Sequence, residues 1–307
     1  RFQEQIETYA VKGVNKAVFP TMETLESANA KQLTMDIVGN TGILTIHSFA
    51  KTAIKRNGQQ FEKFIKTTFK SLKDQHIENL VIDLRYNGGG TDGNAALLAS
   101  YFFDKPFRYW EKIEVTEAIA EEIKGMYRLF FRKPVQKDSA YLWKKSWLTH
   151  EFDYYQLQKP ARHNFKGQTY LLTNGLCMSS CSDFVAILSH NKKALVVGQE
   201  SGGGYQGNTS GMMPKTGIPA GLSVTVPLQK YTNAVDPKTN VGRGTIPHYI
   251  LYPSVVDWIN KKELEGHSDV LAHLKNTFRT KTLFDFYYQV GNGVIKLKDI
   301  LDLKKAI

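Results

Sequence analysis

The chain has 307 residues, 42% of them hydrophobic and 22% charged, which is ample for one large or two ordinary domains with a full core. No apolar run approaches the roughly 18 residues that cross a bilayer, so no integral membrane segment is expected. The 40 basic and 29 acidic residues leave a net charge of +11, but lysines such as Lys63, Lys66, Lys70 and Lys73 alternate with apolar residues at helical spacing. That is the pattern of a solvated helix face rather than of nucleic-acid binding.

Residues 1–38 read as a partly helical N-terminal segment or the remnant of an upstream domain, and the opening Arg1 is consistent with a signal or domain before it. Gly42-Ile43-Leu44-Thr45-Ile46-His47 reads as a strand. Phe61, Phe64, Ile65, Phe69 and Leu72 recur at helical spacing and predict an amphipathic helix over 58–74. Leu80 to Leu84 is a short apolar run, as in a strand buried on both faces. Strand, helix, strand predicts a parallel pair joined by a crossover.

A helix is predicted over 93–103. Residues 105–164 change character, rich in aromatics and lysines, with a helix expected from Glu117 to Phe130. They read as a helical, aromatic-rich insertion over one end of the sheet. The α/β alternation resumes at 169–173, continues in a helix from Ser180 to Ser189 and a strand over 194–198, and is followed by an alternating strand over 222–227. A closing helix is expected over 263–277. These elements give a main α/β domain over 39–278 and a C-terminal strand and helix over 279–307.

Two segments carry chemistry. Asp83-Leu84-Arg85-Tyr86-Asn87-Gly88-Gly89-Gly90 follows a buried strand, and its glycines allow backbone N–H groups to approach a ligand closely. It lacks the Gly-Lys-Ser/Thr ending of a phosphate loop and the G-x-G-x-x-G spacing of a dinucleotide site, so no cofactor is expected. The second segment is Cys177-Met178-Ser179-Ser180-Cys181-Ser182-Asp183, where a strand ends and a helix begins. A serine there is an N-cap or a nucleophile raised beside the free N–H groups of the helix end. A nucleophilic serine needs a base. His47, at the end of an early strand, is the first candidate and His248 the second. Neither the histidines nor the two cysteines, Cys177 and Cys181, have metal-site spacing, so no metal is expected. The cysteines read as free thiols packed near the site.

Asp83–Gly90, Ser180–Asp183, Val196-Val197-Gly198-Gln199-Glu200-Ser201-Gly202-Gly203 and Gly242-Arg243-Gly244-Thr245-Ile246-Pro247-His248 resemble, in content and order, the C-terminal processing (tail-specific) peptidases. Tricorn-type peptidases share that core. The resemblance spans roughly residues 40–275 and implies a Clp protease/crotonase-like ββα spiral core. It selects Ser180 as nucleophile, matching the first serine of the family's Ser-Ala-Ser-Glu, and puts Asp183 at the supporting acid. It also implies an oxyanion hole from the amides of Gly88 or Gly89 and Cys181.

Where the processing peptidases carry a Gly-Lys-Gly lysine, this chain has Tyr205 or Gln206. The resemblance therefore runs nearer the Ser/His tricorn-type members, with His47 as base and Asp236, Asn240 or Asp183 as the residue orienting it. It implies a serine endopeptidase or processing protease acting on unfolded or C-terminal peptide segments. A periplasmic or cell-envelope location is the family habit. The alternative is a degenerate member of the fold that binds a peptide or hydrophobic ligand.

Overall fold

The structure is a computed structural model and describes residues 31–251, apart from 127, 129, 130, 145–152 and 212. Leu33–Val38 (β1) and Thr41–Ile46 (β2) form an antiparallel hairpin. Lys51–Arg56 (α1) and Phe61–Asp74 (α2) then cross to Asn79–Asp83 (β3), which lies parallel to β2 with Thr41 opposite Asn79 and Thr45 opposite Asp83. The predicted strand–helix–strand crossover is thus present. Leu80, Val81 and Ile82 are all fully buried, as the continuous apolar run predicts for a strand covered on both faces.

Asp92–Ser100 (α3) follows the glycine loop. Farther on, Gln168–Thr173 (β9), Ser180–His190 (α5) and Leu195–Gly198 (β10) add two more parallel strands, and Tyr249–Ile250 (β15) closes the edge. The main sheet has the order β1-β2-β3-β9-β10-β15. On one face Leu44, Ile46, Leu80, Ile82, Leu84, Leu171 and Val196 join one apolar cluster with Ile65 and Phe69 of α2 and Phe184 of α5. Ile43, Val81, Leu172 and Val197 alternate with these and are buried outside that cluster.

Residues 33–38, which end the N-terminal segment read from the sequence, are a strand of the main sheet. One expectation changes here. Among its described residues the insertion has more strand than helix: Phe107–Arg108 (β4), Trp110–Val115 (β5), Val135–Lys137 (β6), Ala140–Leu142 (β7) and Leu157–Gln158 (β8). Its helix, Glu117–Glu122 (α4), stops where Ile123 turns to ψ 73°.

The reason is long-range pairing. β5 lies antiparallel to Gln229–Asn233 (β14), more than a hundred residues later, and Trp110 stacks on Tyr231 with ring centroids 4.4 Å apart. Gly207–Asn208 (β11) completes a second sheet of order β11-β14-β5-β7-β6. Lys215–Ile218 (β12) and Leu222–Thr225 (β13) form a separate exposed hairpin. The elements expected over 263–277 and 279–307 lie outside the described residues.

Candidate active site

The C-terminal ends of β2, β3 and β9 carry the three segments of the site, as the parallel arrangement requires. After β9 the chain turns through residues 174–179 into α5. Asn174 holds this turn, its side-chain oxygen accepting from the amides of Tyr86 (3.0 Å) and Leu176 (3.1 Å). Ser179 has φ 52° and ψ −132°, a sparsely populated conformation that costs a non-glycine residue about 1–3 kcal/mol. It occupies the N-cap position but makes no capping hydrogen bond with its side chain. Ser182 instead donates its hydroxyl to the carbonyl of Ser179 at 2.7 Å. Ser180 is the first residue of α5 and is completely buried, and its Oγ has no hydrogen-bond partner among the described residues. Of the three serines, it alone is neither a strained cap nor tied to backbone.

The glycine loop lies against this elbow. A Cβ on Gly89 would stand 2.7 Å from the Met178 carbonyl oxygen, 2.8 Å from Ser179 Cβ and 3.1 Å from the Ser180 nitrogen. Gly89 also has φ +95°, which excludes most other residues. Asn87, fully buried, fastens the loop: its Nδ2 donates to the Ile46 carbonyl at 2.9 Å, its Oδ1 accepts from Gly89 N–H at 2.8 Å, and its carbonyl accepts from Met178 N–H at 3.2 Å. Of the three expected oxyanion donors, Gly89 therefore gives its proton to Asn87. Cys181 donates to the Met178 carbonyl at 3.0 Å. The amide of Gly88, on an exposed glycine, donates to no acceptor among the described residues.

Asp183 is buried one turn after Ser180 and does not touch His47. It accepts from Asn208 Nδ2 (2.8 Å), Asn233 Nδ2 (3.0 Å) and Trp110 Nε1 (3.4 Å). Burial pushes its carboxyl from an ordinary 3.8 up to about 6, against the pull of these three donors. This carboxylate thus ties α5 to β11, β14 and β5 of the second sheet.

His47 follows Ile46, with part of its side chain open to solvent and part covered by its neighbours. It lies in the bend just past β2. Its charged neighbours are Asp83 and Arg85, which are bonded to each other (Arg85 Nη2 to Asp83 Oδ2, 2.6 Å). Burial is the largest influence and lowers the imidazole's pKa; Asp83 raises it and Arg85 lowers it. The structure does not join His47 to Ser180 by a hydrogen bond.

The other candidates are engaged elsewhere. His248 Nδ1 accepts from Val196 N–H at 3.0 Å beside β10. Asp236 closes its own turn by accepting from Lys238 N–H and Thr239 Oγ1, and Asn240 accepts from Arg243 N–H in the next turn. Gln206 donates to the Pro237 carbonyl, and the Tyr205 carbonyl accepts from Asn233. Cys177 and Cys181 are free and buried, and burial together with the Cys177 thiol pushes the Cys181 thiol well up.

Asn87, Asn174, Asn208 and Asn233 are the residues that sequence reading missed. Asn87 stands inside the glycine motif, where a side-chain amide next to glycines is a signal for a braced turn. The others contact the site only through folding.

A parallel sheet that sets a serine at a helix N-terminus, against a glycine loop from the neighbouring strand, has the build of a serine-nucleophile hydrolase. The chain belongs to peptidase family S41, whose family model matches residues 40–251. Among solved structures it is similar to mature CPAF complexed with lactacystin, at 16% identity and TM-score 0.53 over 80% of this chain and 54% of that one. A putative peptidase from Parabacteroides merdae is 18% identical with TM-score 0.49, over 79% and 66% of the two chains. The D1 C-terminal processing protease of photosystem II is 14% identical with TM-score 0.44, over 72% and 48%. The chain spans about half to two thirds of the length of these proteins. At such identities the likeness to CPAF shows a shared fold.

Proposed function

We propose that this chain is a serine peptidase that cleaves polypeptides by acyl transfer through Ser180. The observation that carries this reading is the packing of the glycine loop on the Ser179–Ser180 elbow, where a Cβ on Gly89 would stand 3.1 Å from the Ser180 nitrogen, together with a buried serine hydroxyl at a helix N-terminus that has no hydrogen-bond partner among the described residues. Ser180 Oγ attacks the peptide carbonyl and its proton passes to the base, which returns it to the departing amine; water then hydrolyses the ester by the same route. Gly88 N–H donates to the developing oxyanion, and Cys181 N–H joins it when released from Met178. His47 is the base in this reading, as the histidine at the end of β2. Unfolded or C-terminal segments of envelope proteins are the proposed substrates.

A second reading is a binding protein on the same scaffold. It is favoured by the Ser180 hydroxyl having no hydrogen-bonded base among the described residues and by the two committed amides. Labelling with a fluorophosphonate separates the two. A peptidase is labelled in the native chain, loses the label in Ser180→Ala, and digests an unfolded protein. A native chain that takes no label and leaves that protein intact supports the binding reading. Full labelling of His47→Ala assigns the base elsewhere.

A further inference from the structure

The exposed charged side chains of the consecutive helices α1 and α2 are almost all cationic. Lys51, Lys55 and Arg56 of α1 and Lys63, Lys66, Lys70 and Lys73 of α2 are all exposed. Against them stand only Glu62 and Asp74, and Asp74 is paired with Lys70. Upstream, the chain has no acidic residue between Asp36 and Glu62. The other six cations make no ion pair among the described residues. Amphipathicity explains why polar residues lie outside, since Ile54, Phe61, Ile65, Phe69 and Leu72 fill the core beneath. It does not explain why one sign is so favoured: glutamates at i and i+4 to these lysines would stabilise the helices and keep the face soluble.

The helix pair is rigid as well as charged. The link between the helices is fastened to β1 by Gln59, whose Oε1 accepts from the amides of Gln32 (2.8 Å) and Leu33 (3.1 Å) and whose Nε2 donates to the Leu33 carbonyl (2.7 Å). Both helices anchor in one apolar cluster, and Lys63, Lys66, Lys70 and Lys73 recur every three or four residues, so they share one stripe of α2. From this we infer that the α1–α2 face docks on the anionic headgroups of a phospholipid bilayer. A broad array of cations matches a planar charged surface. Nucleic acid is the poorer match, because binding a single strand needs exposed rings for base stacking, and α2 has only the half-buried Phe64 on its outer flank. No large apolar side chain is exposed between 51 and 76, so the protein adsorbs without inserting and salt releases it.

The test is sedimentation of the full chain with vesicles of phosphatidylcholine alone and of phosphatidylcholine with equimolar phosphatidylglycerol. Binding is expected only to the second and is lost at high salt. A chain with Lys55→Ala, Lys63→Ala, Lys66→Ala and Lys73→Ala binds several hundred-fold more weakly, at about fivefold for each lysine. The control carries Lys124→Ala, Lys133→Ala, Lys137→Ala and Lys215→Ala, which remove the same charge from exposed sites elsewhere. It retains most of the native binding. Equal losses in the two variants would show that net charge alone is responsible and overturn the assignment. So would an absence of binding to the anionic vesicles, or tighter binding to single-stranded DNA at matched ionic strength. Circular dichroism of both variants confirms that only surface charge has changed.

Discussion

Gly89 and Ser179 are in van der Waals contact across the site, for a Cβ at Gly89 would lie 2.8 Å from that of Ser179. The glycine loop after β3 and the elbow after β9 are therefore a single packed unit. Asn87 links both to the end of β2.

Gly89→Ala brings a side chain against the Met178 carbonyl at 2.7 Å, at φ +95°. Neither obstacle is a flexible side-chain end. The expected cost is about 2–4 kcal/mol of stability, with loss of fluorophosphonate labelling. Gly88→Ala meets no atom within 4 Å and is expected to cost less than about 1 kcal/mol. Thermal denaturation of the two variants measures the difference, and equal losses would refute the packed-unit account.

Ser180→Ala removes a buried hydroxyl that has no partner among the described residues. A buried polar group without a hydrogen bond is a burden on the folded state. The variant is expected to match or exceed the native chain in stability, by up to about 1 kcal/mol, while losing the label. Urea titration alongside labelling checks both halves; a destabilised variant would mean that the hydroxyl is bonded in solution.

Asp183 produces a pH dependence of defined sign. Its carboxyl titrates near 6 when folded and at an ordinary 3.8 otherwise, so between these values the native state holds more protons than the unfolded one. Its contribution is complete below about pH 4 and declines as pH rises through 6, by at most about 3 kcal/mol. Asp183→Asn abolishes that slope. It also turns an amide N–H toward the donors Asn208, Asn233 and Trp110, and is expected to cost about 1–3 kcal/mol at neutral pH. Denaturant titrations from pH 4 to 7 measure slope and offset together.

If His47 is the base, labelling requires the neutral imidazole. Burial and Arg85 lower its pKa, so the labelling rate is expected to rise with pH around a midpoint below 6.5. Arg85→Met removes a nearby positive charge and leaves Asp83 uncompensated, which moves the midpoint upward. A midpoint unaffected by Arg85→Met would locate the titrating group away from β2 and β3.

Much of this was legible in the chain. The run Leu80–Leu84, the spacing of Phe61, Ile65, Phe69 and Leu72, and the glycines after Asp83 are local signals with local causes. They fix a buried strand, an amphipathic helix and a tight loop wherever the chain folds. The insertion misled for the opposite reason: the residues that pair with Trp110–Val115 are Gln229–Asn233, and no window of local periodicity spans that distance.

The order of the strands' signals, the glycine loop and a serine at the head of a helix are readable from the chain alone, because each depends on neighbours a few residues apart. What those groups face is set by the packed fold. It turned Asp183 toward Asn208, Asn233 and Trp110 and set His47 beside Asp83 and Arg85. It also left Ser180 buried, with its hydroxyl unbonded among the described residues. Which side of a sheet a residue meets, and who stands there, is fixed by packing between segments that the chain keeps far apart.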